Sequence, residues 1–168
     1  MDHVVTPLER AAKIKLLLSD CDGVLTDTGV YYSREGEQLK RFSIRDGMGV
    51  ERLRNIGVEV GFVTGEITGP LVKRAEKLGV TELHLGIKDK GSRVQSILST
   101  KGLDWDEVAY IGDDVNDLDV MVRVGLACAP ADGTTFAREA AHYVAPSRGG
   151  HGAFRDVAEL IVSAQKGT

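Results

Sequence analysis

Apolar residues in this chain fall into short unbroken runs separated by amphipathic stretches. Leu16-Leu17-Leu18, Val58 to Val63, Leu83 to Leu85, Val108 to Ile111, Leu126 to Ala129 and His142 to Ala145 are each of strand length. Runs without polar alternation fit strands buried on both faces, as in a parallel sheet. Between them the apolar positions take helical spacing. Val50, Leu53 and Ile56 share one face of a helix that Asp46-Gly47-Met48-Gly49 opens and Gly57 stops. A second helix runs from about Thr68 to Leu78, ahead of Gly79, and a third from Asp89-Lys90 through Leu98. Leu118, Met121 and Val122 mark a fourth, and Ala153 to about Ala164 a closing amphipathic helix. Thr6-Pro7-Leu8-Glu9 has a capping threonine, an early proline and a glutamate three residues after the cap, so a short helix ends near Lys13. Strands alternating with helices predict an α/β fold: a three-layer, Rossmann-like parallel sheet with helices on both faces and right-handed crossovers.

One stretch departs from this alternation. Gly29 to Phe42 places Tyr and Val around a polar tip with Gly36, the pattern of a β-hairpin. A two-stranded ribbon is marginal alone in water. It is expected to pack on another subunit or, less favoured, to fold over its own domain. Apart from the one helix before Gly57, the interval between the first two sheet strands has room only for this ribbon, so a capless fold is expected. No segment remains for a second domain, which gives one domain over 1–168 with the hairpin at about 29–43. Ser147-Arg148-Gly149-Gly150-His151-Gly152 reads as a mobile loop.

Composition narrows the function classes. The 168 residues carry a net charge of −4, which leaves no electrostatic footprint for nucleic acid. No apolar run reaches the about 18 residues of a membrane span. The N-terminus lacks a basic region followed by an apolar core, so no secretory signal is expected. Cys21 and Cys128 are the two cysteines and form no CxxC. A reducing cytoplasm is the expected compartment.

The chemistry gathers at strand ends. The run Leu16 to Leu18 breaks at Ser19 into Asp20-Cys21-Asp22-Gly23, the second sheet strand into Thr64-Gly65-Glu66, and the strand through Ile111 into Gly112-Asp113-Asp114-Val115-Asn116-Asp117. Lys90 opens the intervening helix. Asp20-x-Asp22-Gly23 alone is an ordinary surface turn. A calcium loop is excluded, since Leu25 and Tyr31 occupy the positions that need Gly and Glu. Together the segments supply a carboxylate nucleophile, an acid/base, hard oxygens for a cation, and a hydroxyl and ammonium for phosphate oxygens.

In this order and spacing the motifs resemble the haloacid dehalogenase superfamily of phosphohydrolases. Asp22-Gly23-Val24-Leu25-Thr26-Asp27, the Tyr32…Gly36-Glu37…Lys40-x-Phe42 hairpin, Asp46-Gly47, Arg74-Ala75, Asp89-Lys90, Ala109 to Asp114 and Gly149-Gly150-x-Gly152-Ala153-x-Arg155 resemble the 3-deoxy-D-manno-octulosonate 8-phosphate phosphatases over about Ile14 to Val162. The resemblance implies a Mg²⁺-dependent phosphomonoesterase acting on a 2-keto-3-deoxy sugar acid phosphate, in lipopolysaccharide or sialic-acid-like glycan synthesis. It implies homotetramers with hairpins at the centre and active sites closed by a neighbouring subunit. Asp20 would be the nucleophile and Asp22 the acid/base. Mg²⁺ would sit on the Asp20 carboxylate, the Asp22 main-chain carbonyl and Asp113. Thr64 and Lys90 would hold the transferring oxygens, with Asp114 and Asp117 orienting metal waters or Lys90. Arg148 and Arg155 would contact a substrate carboxylate in the adjoining subunit, and His151 either reaches such a substrate or is a plain surface residue.

One position departs from that family. Its members usually have Thr-Gly-Arg after the second strand, and here Glu66 follows Thr64-Gly65. Glu66 with Arg74 and Lys77 is similar to the 2-keto-3-deoxynononate 9-phosphate phosphatases, so a nine-carbon substrate is the alternative; Glu66 at a helix N-terminus facing solvent is the plainer reading. A non-catalytic assembly module like that fused to sialic-acid cytidylyltransferases would lack catalytic acids, which this chain keeps. A phosphomutase would carry a cap. Cys21 reads as buried filler, His84 and His142 as strand residues, and Trp105 as core or hairpin packing.

Overall fold

The computed structural model describes residues 4–166. In chain order the elements are α1 (Pro7–Ala11), β1 (Leu16–Ser19), β2 (Tyr31–Ser33), β3 (Gly36–Leu39), α2 (Ile44–Arg54), β4 (Glu59–Val63), α3 (Gly69–Leu78), β5 (Glu82–His84), α4 (Lys90–Lys101), β6 (Val108–Ile111), α5 (Leu118–Met121), β7 (Leu126–Ala129), α6 (Thr135–Ala140), β8 (Tyr143–Val144) and α7 (Ala153–Lys166). Six strands form a parallel sheet in the order β5-β4-β1-β6-β7-β8, and β2 and β3 pair antiparallel as a separate ribbon. Among the described residues no helix is long and apolar enough to cross a membrane.

Both faces of the sheet are covered, which is why its strands are apolar throughout. Side chains alternate across a strand. Leu17, Val60, Phe62, Ala109, Ile111 and Cys128 therefore pack on Ala11 of α1, Val50 and Leu53 of α2, Leu71 and Ala75 of α3, and Phe154, Val157 and Ile161 of α7. Leu16, Leu18, Val63, Val108, Tyr110 and Ala127 face Val94, Ile97 and Leu98 of α4, Val120 and Met121 of α5, and Ala137 of α6. Each of the fully buried Val, Leu, Ile, Phe and Met side chains among these contributes about 1.5–3 kcal/mol.

Local chemistry sets the ends. The Thr6 hydroxyl accepts from the Glu9 N–H and the Glu9 carboxylate accepts from the Thr6 N–H, closing the expected box on α1. α1 ends at Ala11, slightly short of Lys13. Gly79 and Gly102 end α3 and α4 in the left-handed conformation, at φ +67° and +66°. α2 starts at Ile44 with Ser43 as its cap, ahead of the expected start at Asp46. Gly47 and Gly49 are thus inside the helix. Gly49 serves packing: a Cβ there would lie 3.2 Å from both Phe154 and Ala158 of α7. α6, capped by the Thr134 hydroxyl, has no counterpart in the sequence expectation. Its single fully buried residue, Ala137, is too little apolar signal for a stripe. Trp105 packs against the α4 side, its Nε1 donating to Gln95 and its ring under Arg123, away from the hairpin.

The segment 147–152 is tied down, contrary to the expected mobility. Gly150 N–H donates to Val24 O at 2.9 Å, Gly149 N–H to Asp132 Oδ1 at 2.9 Å and Ser147 N–H to Asp156 Oδ2 at 2.8 Å. Its glycines permit backbone-on-backbone contact with the turn after β1. A Cβ on Gly149 would lie 1.9 Å from the Gly23 carbonyl oxygen. Gly149→Ala is therefore expected to destabilise the chain by about 1–3 kcal/mol, read by thermal unfolding as a Tm lower by roughly 3–10 °C.

Candidate active site

β1 is the switch point of the sheet, with β4 on one side and β6 on the other. Ligands of open α/β sheets bind beyond the carboxyl ends of the strands at such a point. Asp20 follows β1, Thr64 follows β4 and Asp113 follows β6, so the polar breaks in three apolar runs converge. Asp20 is 5% exposed, and its Oδ1 accepts from the Cys21 N–H at 2.8 Å and lies 3.1 Å from Lys90 Nζ. Thr64 is buried, and its hydroxyl accepts from the Glu66 N–H at 3.3 Å.

Lys90 is the first residue of α4, buried beneath the carboxylates. Asp117 holds it there. Asp117 Oδ1 accepts from Lys90 Nζ at 2.7 Å and from the Tyr110 hydroxyl; its Oδ2 accepts from the N–H groups of Asp113 and Asp114 at 3.0 and 3.3 Å. Asp114 caps the turn Val115–Asp117 that presents Asp117. Gly112 makes this approach possible, since a Cβ there would sit 2.4 Å from Asp117 Cβ. Sequence reasoning missed Tyr110, because a tyrosine in an apolar strand reads as core. Its hydroxyl lands in the site because its face of the sheet is the α4 face.

The electrostatics are those of crowded acids. Burial, reinforced by the neighbouring Asp117 charge, pushes the Asp20 carboxyl well above the usual range, with Lys90 only partly offsetting it. Burial and Asp117 raise Asp113 to about 7. Burial works against the Lys90 charge, but Asp20 and Asp117 outweigh it and raise its pKa. Asp20, Asp113 and Asp117 each offer an oxygen within 4.8 Å of the others, a group that could hold a metal ion. All four donors to Asp117 are already in place, so Asp20 and Asp113 are the carboxylates left for a cation. Gly23 keeps the space open: a Cβ there would fall 1.9 Å from Asp113 Oδ2. Hard oxygens crowded beyond what one lysine neutralises fit a hard divalent cation.

Asp22 lies outside this carboxylate group. Its Oδ1 is 2.8 Å from Lys40 Nζ, at the base of the hairpin. The residues singled out for substrate binding lie further out. Glu66 is exposed and reaches Thr64 only through its backbone N–H. Arg74 donates to the Ser43 carbonyl at 2.9 Å and stacks over Phe42, while Lys77 is exposed. Arg155 pairs with Glu159 at 2.8 Å and donates to the Arg45 carbonyl. Arg148 lies 3.5 Å from Asp132 and, with His151 and Asp27, lines a cleft of about 370 Å³. Among the described residues, Arg74, Lys77, Arg148 and Arg155 make no hydrogen bond or ion pair to Asp20, Asp22, Thr64 or Lys90. Cys21 and Cys128 are buried with thiols pushed up by desolvation, and the His142 ring accepts from the Ala127 N–H.

Comparison with known proteins agrees with this geometry. A family model described as haloacid dehalogenase-like hydrolase matches residues 79–155. The 3-deoxy-D-manno-octulosonate 8-phosphate phosphatase of Yersinia pestis is 42% identical over 94% of this chain and 84% of its own length. Its crystal structure superposes with a TM-score of 0.92, covering 95% of this chain and 86% of that one. The Moraxella catarrhalis phosphatase of the same name, crystallised with magnesium, phosphate and a KDO molecule, has a TM-score of 0.93 at 32% identity, covering 98% and 94%. A cobalt-bound form of the Haemophilus influenzae phosphatase has a TM-score of 0.91 at 33% identity, covering 94% and 92%.

Cation binding requires ionised carboxylates, so a group held at about 7 makes it pH-dependent. In calorimetric titration of metal-free protein, Mg²⁺ affinity is expected to rise as pH increases toward 7 and to level off above it. At pH 6, binding should release a proton, seen as an enthalpy that varies with the buffer.

Proposed function

Because the chain belongs to the 3-deoxy-D-manno-octulosonate 8-phosphate phosphatase family of haloacid dehalogenase-like hydrolases, we propose that it hydrolyses the 8-phosphate of this eight-carbon sugar acid through an aspartyl-phosphate on Asp20. The observation that carries the reading is the buried Asp20–Lys90–Asp117 constellation at the sheet's switch point. The whole chain, 1–168, acts as one phosphatase domain.

Asp20 attacks phosphorus, and Lys90 and the Thr64 hydroxyl hold the transferring oxygens. Asp22 gives a proton to the leaving alcohol, then takes one from the water that cleaves the aspartyl-phosphate. Mg²⁺ is the cation that the Asp20 and Asp113 carboxylates and the Asp22 carbonyl would hold; it neutralises charge so that an anionic nucleophile meets an anionic ester. Asp117 and Tyr110 keep Lys90 in place, and Asp114 keeps the turn that carries Asp117.

The hairpin leaves Tyr31, Tyr32 and Leu39 at 66%, 72% and 63% exposure. An apolar ribbon of this kind supports association of copies into a homotetramer. Arg148, Arg155 and His151 would then meet a neighbour's substrate. A nine-carbon acid is the second reading, favoured by Glu66 at the mouth of the site. Arg74 speaks against a shared specificity set with Glu66 and Lys77, since its guanidinium is engaged by Ser43 and Phe42.

Phosphate release with Mg²⁺ from the eight-carbon 8-phosphate and the nine-carbon 9-phosphate is expected to favour the eight-carbon ester in kcat/KM. A preference for the nine-carbon ester would transfer the assignment to that acid. Asp20→Asn should lower turnover by at least about 10⁴-fold while the unfolding transition stays cooperative.

A further inference from the structure

The hairpin reaches back into the site of its own chain. Lys40 directly follows β3, and its side chain is 0% exposed. Its Nζ lies 2.8 Å from Asp22 Oδ1 and 3.5 Å from Glu37 Oε2. Glu37 is anchored in turn by the hydroxyl of Thr68, the residue that precedes α3. Lysine is almost never fully buried unless paired. Here its position is set by one acid on the ribbon and spent on one acid in the active-site turn.

Among the described residues Lys40 is the one ion-pair partner of Asp22. The contact is a close pairing of charges without the alignment of a hydrogen bond. It claims Oδ1, which is buried, while the Asp22 side chain as a whole keeps 30% exposure. Oδ2 is therefore the oxygen left for proton exchange.

We propose that Lys40 is the positioning residue of the leaving-group acid: the hairpin, through a buried ammonium on Asp22 Oδ1, aims Oδ2 at the departing alcohol. The inference rests on Asp22 acting as the acid/base in the function proposed above. As the ester P–O bond breaks, the proton on Oδ2 passes to the leaving oxygen, and in the second half Oδ2 takes a proton from the attacking water. The phosphoryl group meanwhile moves from the alcohol to Asp20 and from Asp20 to water. Lys40 exchanges no proton in either half.

Leaving groups separate this role from a structural one. An alkyl phosphate needs its departing oxygen protonated; p-nitrophenyl phosphate expels a stable phenolate without help. The ratio kcat/KM reports the first phosphoryl transfer, before the second use of Asp22. Lys40→Met is expected to lower kcat/KM for the eight-carbon sugar phosphate by at least about tenfold, the scale of a displaced general acid. With p-nitrophenyl phosphate the value should stay within a factor of about three, and Lys40→Arg should restore most of the sugar phosphate rate. Equal losses on both esters, or no loss on either, would overturn the inference. A Lys40→Met chain that fails to fold passes the test to Lys40→Gln, for which the same selective loss is required. Failure of the function itself reads differently: the unsubstituted protein would then release no phosphate from the sugar acid ester.

Discussion

Three carboxylates share the ends of two neighbouring strands with a single buried ammonium, and the surrounding structure is shaped to tolerate that crowding. Buried like charges repel strongly, so such a group persists only where partners compensate. Lys90 supplies one positive charge from the start of α4. Asp117 is saturated by Lys90, Tyr110 and two backbone N–H groups, which fixes the lysine against Asp20. The remaining imbalance, felt as raised pKa values at Asp20 and Asp113, is what a divalent cation would relieve. The same imbalance suits chemistry in which a carboxylate attacks an anionic ester.

Glycines do the spatial part of this work. Gly112 lets Asp117 close on the strand end, Gly23 leaves room beside Asp113, and Gly149 allows the segment before α7 to lie on the Gly23 carbonyl. The turn that carries Asp22 is thereby braced from behind by the 147–152 segment and from the front by Lys40. Asp20 directly follows a central strand of the sheet, whereas Asp22 is held by elements far away in sequence. The proposed nucleophile therefore sits at the end of a sheet strand, and the proposed acid/base on a turn that the ribbon holds, while Tyr31, Tyr32 and Leu39 of that ribbon stay exposed.

Much of this was legible in the residues. Apolar runs that give way to Asp20, Thr64 and Asp113 pointed to the candidate site, because a strand buried on both faces ends close to where polar residues begin. The resemblance had Asp117 orienting metal waters or Lys90, and in the structure its carboxylate accepts from Lys90 Nζ at 2.7 Å. Tyr110 was hidden by its surroundings, since periodicity says that a residue is inside and not what its hydroxyl meets. Lys40 entered the sequence reading only as part of the hairpin motif, since a ribbon pattern does not say which acid its ammonium meets. The bracing role of 147–152 was invisible because glycines signal freedom of the backbone, and only the fold shows that here they are spent on close approach. α2 began early because Ser43 caps it, a signal outweighed by the glycines that follow.

The proposed reaction turns on a covalent bond between Asp20 and phosphorus. Protein mixed with the sugar acid phosphate and Mg²⁺, acid-quenched within a turnover and reduced with borohydride, tests it directly by peptide mass spectrometry. The expected result is conversion of Asp20 to homoserine, dependent on substrate and absent elsewhere in the chain. An unmodified Asp20 under turnover, or reduction at another carboxylate, would contradict it.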